Sequence, residues 1–516
     1  MKNKFNKYTI LFIAIVILIL ILRVINWPTA LEEMNSDEAM TAVNAKSLAD
    51  TGLDNNGIRN PVYLLGWGGQ SVVLVYLMAL CIKIFGYSIF AIRLSMLLIS
   101  LIAIFVFYDF VKRITKNKNI AKIALIAVLI MPWQILQSLW ALDCNMFPHF
   151  LLFSMYLLYR GVTEKRNWIL YLSMIFFAVS LYCYGVAIYF IPLFLLIFAI
   201  YLIRKKYINV KQLIICIIIF IAFAWPIITM FAINLLKTNQ SIEILWFTIP
   251  YYESLSRTQD MLLFSDNIPM QLWNNIVATV KVIFGQYDGC AWNASPVFGT
   301  IYHISIIFVI VALVNMIKKL KKKEIKEENK LAVYLLLLWF GLSILLGILI
   351  NYVNINRLNV IWYPMLLLAI YGIYVIYTKV KRKKLYTGII IGVYAVLFIS
   401  YIIYFNVYFA KHVDNSICFS RGFIAGLNYI DTLDGKEDYM YTNIVNDQCL
   451  NIYIKDRKYR NDKDYTCIYT KEDLENIINN MDDNDAIITK TEEIKDIERI
   501  ESLNVKEFGE HSVITK

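Results

Sequence analysis

YTILFIAIVILILILRVINWPTALEEMNSDEAM, residues 8–40, decides how the rest of the chain is read. Residues 8–27 are an apolar run of the ~20 residues that an α-helix needs to cross the hydrocarbon core of a bilayer. Lys2, Lys4 and Lys7 precede it, and no small-residue cleavage site follows, so the run is expected to be a retained signal anchor. With the basic N-terminus in the cytoplasm, the helix ends at Trp27 on the outer face. The acid pair Asp37 and Glu38 then stands just outside the membrane.

The composition extends this reading to most of the chain. Of 516 residues, 59% are hydrophobic and 17% charged, and the mean hydropathy is +0.57, too apolar for a soluble globular protein. Apolar runs recur to Ala410, separated by basic clusters at Lys112–Lys122, Arg160–Arg166, Arg204–Lys211, Lys318–Lys330 and Lys379–Lys384. Such clusters mark cytoplasmic loops and leave no role for nucleic acid. From Lys411 onward acidic residues outnumber basic ones 22 to 14. The chain therefore divides into a membrane domain, residues 1–410, and a soluble domain, residues 411–516.

Counting crossings fixes the topology. Two apolar stretches, 71–85 and 88–110, lie between the first loop and Lys112, yet only an odd number of crossings returns the chain to the cytoplasm. The first, about 15 residues long, is too short to span and is assigned as interfacial. The remaining spans are expected at 120–138, 146–160, 168–184, 186–203, 210–233, 297–317, 331–350, 359–378 and 386–410. With residues 8–27 and 88–110 they make eleven. The outer segments are then 28–87, 139–145, a turn near 185, 234–296, 351–358 and the tail. In the tail, 421–432 and KEDLENIINNM suggest helices, and YMYTNIV and AIITK suggest strands, a small α/β domain.

Candidate chemistry lies on that outer side. Asp37 and Glu38 open an amphipathic stretch, and capping by Ser36 or Asp37 explains the pair equally well on spacing alone. Asp143 sits in the turn WALDCNMF, where a carboxylate near lipid needs water, a cation or a partner. Capping of the helix beginning at Asn145 is its plain alternative. Arg93 and Arg357 face the same boundary; a guanidinium there can hold a phosphate through two parallel hydrogen bonds, or simply snorkel. Tyr63, Trp67 and Trp292 belong to an interfacial aromatic belt or stack on sugar rings. The loop YDGCAWNASP, 287–296, is either a turn or a substrate-facing wall. The eight cysteines are singletons and the four histidines isolated; no nucleotide-binding, zinc-protease or nucleophile-elbow motif occurs.

The segments MNSDEA (34–39), FGYSIFAIRLSMLLIS (85–100), LQSLWALDCNMF (136–147) and NRLNVIWYPMLLLAIYG (356–372) follow in an order that resembles the GT-C glycosyltransferases. More narrowly they resemble the family 39 type, which groups protein O-mannosyltransferases with the bacterial aminoarabinose transferase. The resemblance covers roughly residues 8–378. It implies a GT-C membrane fold with interfacial helices in the first outer loop, and transfer of a sugar from a polyprenyl-phosphate donor to an outer hydroxyl with inversion. Asp37 matches the acid that deprotonates the acceptor, with Glu38 beside it and Asp143 in the second loop. Arg93 and Arg357 match positions near the donor phosphate. The implied substrate site also takes in Asn356, Tyr63, Trp67, Gln70, Asp288, Trp292 and Asn293.

Two departures stand out. GWGGQSVV (66–73) lacks the Pro-Pro step of relatives, and NRLN (356–359) replaces a His-Arg-Tyr-type sequence. With no histidine in the first loop, no metal site and no required cofactor are expected; a divalent cation stays open. The richness in Lys, Ile and Asn points to a bacterial plasma membrane and an undecaprenyl carrier. The acceptor is a protein, a lipid or a cell-wall glycan. The alternative is a flippase or transporter of a lipid-linked substrate, whose acids would instead sit near the bilayer midplane.

Overall fold

The computed structural model describes residues 7–31, 34–65, 69–253, 260–411, 419, 421–430, 432–433, 437–441, 465–468 and 470–516. Helix α1 (Lys7–Arg23) leads into a loop carrying α2 (Ser36–Thr51) and α3 (Val73–Phe85). Then come α4 (Ile89–Thr115), α5 (Lys118–Leu129), α6 (Pro132–Leu136), α7 (Met146–Thr163), α8 (Asn167–Ser180), α9 (Ala187–Arg204) and α10 (Val210–Leu235). A hairpin of β1 (Ile242–Ile244) and β2 (Phe247–Ile249) precedes α11 (Ile268–Gly285), α12 (Ser305–Lys321), α13 (Glu327–Leu349), α14 (Trp362–Lys379) and α15 (Lys383–Val407).

The chain is a multi-pass membrane protein. Among the described residues six helical segments are long and apolar enough to cross a bilayer: Ile89–Thr115, Ala187–Arg204, Val210–Leu235, Glu327–Leu349, Asn359–Lys379 and Lys383–Val407. The other expected spans fall on α1, α5 with α6, α7, α8 and α12, which are shorter or less apolar. Small residues let these helices touch. A methyl group on Gly161 of α7 would lie 2.5 Å from the Leu170 nitrogen of α8, and one on Gly372 of α14 would lie 1.9 Å from the Phe308 carbonyl oxygen of α12. Close backbone approach of this kind is how helices associate where lipid removes the hydrophobic drive.

The structure adds detail that periodicity did not show. The expected span 120–138 is broken, because Pro132 cannot continue α5. Arg23 closes the break: its guanidinium donates to the carbonyls of Leu129 (3.1 Å) and Gln134 (3.3 Å), to Ser138 Oγ (3.2 Å) and to the Gln134 side chain. The orphan carbonyls at a helix end thereby find donors inside the bundle. The loop 234–296 contains α11, which packs on α13, and the helix expected at 297 begins only at Ser305.

The C-terminal region forms a five-stranded mixed sheet in the order β4-β3-β5-β7-β6, from β3 (Glu437–Tyr441), β4 (Tyr465–Ile468), β5 (Asp485–Lys490), β6 (Asn504–Phe508) and β7 (His511–Thr515). Helices α16 (Phe423–Ile430) and α17 (Lys471–Asn480) accompany it. The expected helices and the strand at AIITK are present. β4, β6 and β7 were not anticipated, and the second half of YMYTNIV lies outside the described residues. Phe419 meets Trp140 edge to face at 5.2 Å, which joins this region to the loop before α7.

His511 on β7 is buried, with Nδ1 2.9 Å from the Arg421 carbonyl and its ring 5.1 Å from Phe423. Burial, and behind it the charge of Lys490, pull its pKa down from 6.5 to about 4, against the opposing pull of the Arg421 carbonyl. The folded state keeps the imidazole neutral while the unfolded chain protonates, so stability present above pH 6.5 is lost as the pH falls toward 4, by about 3 kcal/mol. In hydrogen exchange on the full chain, protection of β5 and β7 corrected for intrinsic rates is expected to drop by up to about a hundredfold between pH 7 and 4.5. His511→Gln is expected to flatten that dependence.

Candidate functional site

Asn35, rather than Ser36 or Asp37, caps α2: its Oδ1 accepts from the Asp37 N–H at 2.9 Å. Asp37 and Glu38 then fill the first turn, where the helix dipole favours carboxylates. At the other end Gly52, at φ +74°, takes the left-handed turn that stops the helix and donates to the Leu48 carbonyl. The two acids part company at once. Glu38 is fully buried and Asp37 only half-buried.

Glu38 forms a two-pronged ion pair with Arg93 of α4. Nε–Oε1 is 3.0 Å and Nη2–Oε2 is 2.8 Å, and both side chains are 0% exposed. Arg93 Nη1 also donates to the Pro28 carbonyl at 2.5 Å, and Glu38 Oε1 accepts from the Ala141 N–H at 2.9 Å. One carboxylate thus ties together the exit of α1, the start of α2, the body of α4 and the loop before α7. Arg93, expected near the donor phosphate, is sealed inside this clamp. Its assignment is revised from ligand binding to holding the loops.

The Ala141 pin places Asp143 beside the α2 N-terminus. Asp143 opens a short 3₁₀ turn, Asp143–Asn145, and is half-buried; its Oδ2 accepts from the Ser71 N–H at 3.3 Å. The neighbouring Gln70 donates through Nε2 to Thr41 Oγ1 at 2.5 Å, and Thr41 donates to the Asp37 carbonyl at 2.7 Å. Segment 70–71 therefore bridges the backbone at Asp37 and the carboxylate at Asp143. The two acids, 106 positions apart in sequence, flank one set of contacts.

The later loops join the same assembly. Gln137 donates to the Asn293 carbonyl at 2.9 Å and accepts from Asn145 Nδ2. Asn356 donates to Asn293 Oδ1 at 2.6 Å, and Asn359 donates to the Cys144 carbonyl at 2.7 Å. Asp288, expected to face substrate, is the knot of this network: its carboxylate accepts from Cys290 N–H (3.0 Å), Asn293 Nδ2 (2.8 Å) and Ile355 N–H (2.9 Å). Trp292 is half-buried, and its carbonyl faces Gln137 at 3.4 Å.

Arg357 stands at the edge of this assembly, its side chain 17% exposed in a cleft shared with Tyr189, Phe231 and Asp260. It donates to Asp260 Oδ2 and to the Asn351 carbonyl, each at 2.7 Å. Tyr63 is buried near the same cleft, edge-on to Phe231 at 5.6 Å, and its carbonyl accepts from Tyr252 Oη at 2.9 Å. Trp67 lies outside the described residues. Sequence reasoning missed Gln137, Asn145, Asn359 and Asp260, because amides and a lone loop acid carry no local signature. Among the described residues no three His, Cys, Asp or Glu side chains are placed to hold a metal ion.

Residues 70–227, from Gln70 through Arg93 and Asp143, match the family model described as dolichyl-phosphate-mannose-protein mannosyltransferase. The structure is similar to that of ArnT from Cupriavidus metallidurans bound to undecaprenyl phosphate, with TM-score 0.53 and 10% identity over 98% of this chain and 97% of that one. ArnT from the same organism in the apo state gives TM-score 0.52, 10% identity and the same coverage. No curated protein matches the sequence. The likeness is one of fold, and the fold is of the GT-C type expected from the sequence.

The clamp makes a stability prediction. Removing one partner of a buried ion pair strands the other charge at about 3–5 kcal/mol, whereas replacing both with apolar residues is far milder. Glu38→Leu and Arg93→Met are each expected to lower the melting temperature of the detergent-purified chain sharply. The double variant Glu38→Leu/Arg93→Met is expected to recover much of the loss. Additive losses would show that the pair is not coupled.

Proposed function

We propose that this chain is a membrane glycosyltransferase that moves a sugar from a polyprenyl-phosphate donor to a hydroxyl on the outer face of a bacterial plasma membrane. The observation that carries the reading is the convergence of Asp37 and Asp143. The Glu38–Ala141 hydrogen bond and the Gln70–Ser71 bridge draw the backbone at Asp37 and the carboxylate of Asp143, which the sequence keeps far apart, onto one set of contacts. The match of residues 70–227 to a mannosyltransferase family supports the activity class. The fold shared with ArnT, solved with undecaprenyl phosphate, supports the donor class.

In this reading the donor enters from the lipid with its phosphate toward Arg357 and its sugar toward Asp37. Asp37 accepts the proton of the acceptor hydroxyl as that oxygen bonds to the anomeric carbon. The bond from the anomeric carbon to the phosphate oxygen breaks on the opposite face, which inverts the configuration. Polyprenyl phosphate leaves with the bonding electrons, and the proton passes from Asp37 to solvent. A phosphate leaving group needs no general acid, so one base suffices. Asp143, beside it, orients the acceptor or the sugar through hydrogen bonds. Positioning in packed loops and the charge of Arg357 supply most of the remaining rate enhancement.

Asn293 and Asn356 hold the walls of this space in register, a role at one remove from substrate. The tie from Asp288 through Asn293 to Asn356 sets where Arg357 stands relative to the Asp143 loop. With purified protein and undecaprenyl-phosphate sugars, Asp37→Asn is expected to lower transfer by about 10²–10⁴-fold, the usual worth of a general base. Retention of undecaprenyl phosphate is expected to stay intact. Undiminished transfer would remove Asp37 as the base.

A further inference from the structure

Asp260 is the acid that Arg357 pairs with. Its Oδ2 lies 2.7 Å from Arg357 Nη2, and the pair lines a cleft between the start of α9, the end of α10 and the loop leading to α14. Arg357 is otherwise fixed. Nη1 donates to the Asn351 carbonyl, the Arg357 N–H donates to Asn354 Oδ1 at 2.9 Å, and the guanidinium lies 5.7 Å from the Tyr352 ring centre. The cation is thus presented by its own loop and does not need Asp260 to stay in position.

The backbone of Asp260 is equally fixed. The Asn351 N–H donates to the Asp260 carbonyl at 2.7 Å, Met261 bridges Ile350, and Asn351 Nδ2 donates to Ser265 Oγ at 2.9 Å. With both backbones held, rotation of one short side chain suffices to open the pair. At 30% side-chain exposure the carboxylate can turn out into water at little cost.

We propose that Asp260 is an internal counterion that occupies Arg357 when no lipid phosphate is bound and exchanges with it. This rests on the reading of Arg357 given above and adds a gate to it. The charges favour the exchange when the donor arrives. A sugar-linked polyprenyl phosphate is a diester of charge −1, so its arrival replaces Asp260 one for one and strands no charge. The product is a phosphate monoester with a second ionisation near pH 6 and a charge approaching −2. The guanidinium attracts that product more strongly than the donor, and Asp260 is the neighbouring carboxylate that competes with it for Arg357, so Asp260 counters product retention.

The test measures undecaprenyl phosphate binding to the full-length chain in phosphatidylglycerol nanodiscs, by native mass spectrometry, with inorganic phosphate as competitor. Asp260→Asn is expected to bind about two- to fivefold more tightly than the native chain, the range set by a partly exposed ion pair. Asp260→Ser, which is smaller, is expected to do the same and guards against a folding defect peculiar to the amide. Arg357→Ala is expected to lose binding whichever residue stands at 260. Equal or weaker binding in both Asp260 variants, with Arg357→Ala still impaired, would overturn the gate and leave the phosphate role of Arg357 standing. Binding indifferent to Arg357→Ala would overturn both. Displacement by millimolar inorganic phosphate would show a general anion site and overturn the commitment to a lipid phosphate.

Discussion

The paired hydrogen bonds between Glu38 and Arg93 are the constraint on which the loop architecture depends. A fully desolvated ion pair is costly unless every donor and acceptor is matched, and here the leftover valences are used by Pro28 and Ala141. The cost is set against order: four segments that meet nowhere in sequence are held at one end of the helix bundle. Asp37 and Asp143 inherit their relation from that clamp, since each lies within two residues of an atom it holds. The buried acid of the Asp37–Glu38 pair holds the loops together, and the half-buried one is the base proposed above.

A second tier of contacts uses neutral amides. Gln137, Asn145, Asn293, Asn356 and Asn359 exchange hydrogen bonds with one another or with loop carbonyls, and Asp288 anchors them. Amides can donate and accept without bringing charge, so they join the loops without adding further buried ions. Arg23 does comparable work deeper in the bundle, where Pro132 interrupts the helix that leads to the Asp143 loop. The GT-C fold thereby delivers to one place residues supplied by the loops after α1, α6, α11 and α13.

Much of the membrane architecture was legible because apolar runs and basic clusters are long-range signals that need no tertiary knowledge. The short helix at Val73–Phe85 and the acid pair at 37–38 were found this way. What could not be read is pairing. Arg93 and Arg357 look alike in sequence, each an arginine near the end of an apolar run, yet one faces a fully buried carboxylate 55 positions away and the other a partly exposed carboxylate 97 positions away. Asp288 looked substrate-facing because it sits in a polar aromatic loop, but its oxygens are taken by that loop and by the Ile355 N–H of the loop before α14. The helix α11 escaped notice because it is amphipathic within a segment read as irregular, and Arg23 because one charge does not interrupt an apolar run.

Electron cryo-microscopy of the full chain with an undecaprenyl-phosphate sugar in nanodiscs would measure the central relation directly. The phosphate is expected within about 3 Å of the Arg357 guanidinium, with the Asp260 carboxylate turned away. The sugar is expected on the side of Asp37 and Asp143, with the Glu38–Arg93 pair unchanged. A phosphate seated at the opposite, basic end of the bundle near Arg113 and Arg160, or a sugar remote from Asp37, would contradict the proposed reaction centre.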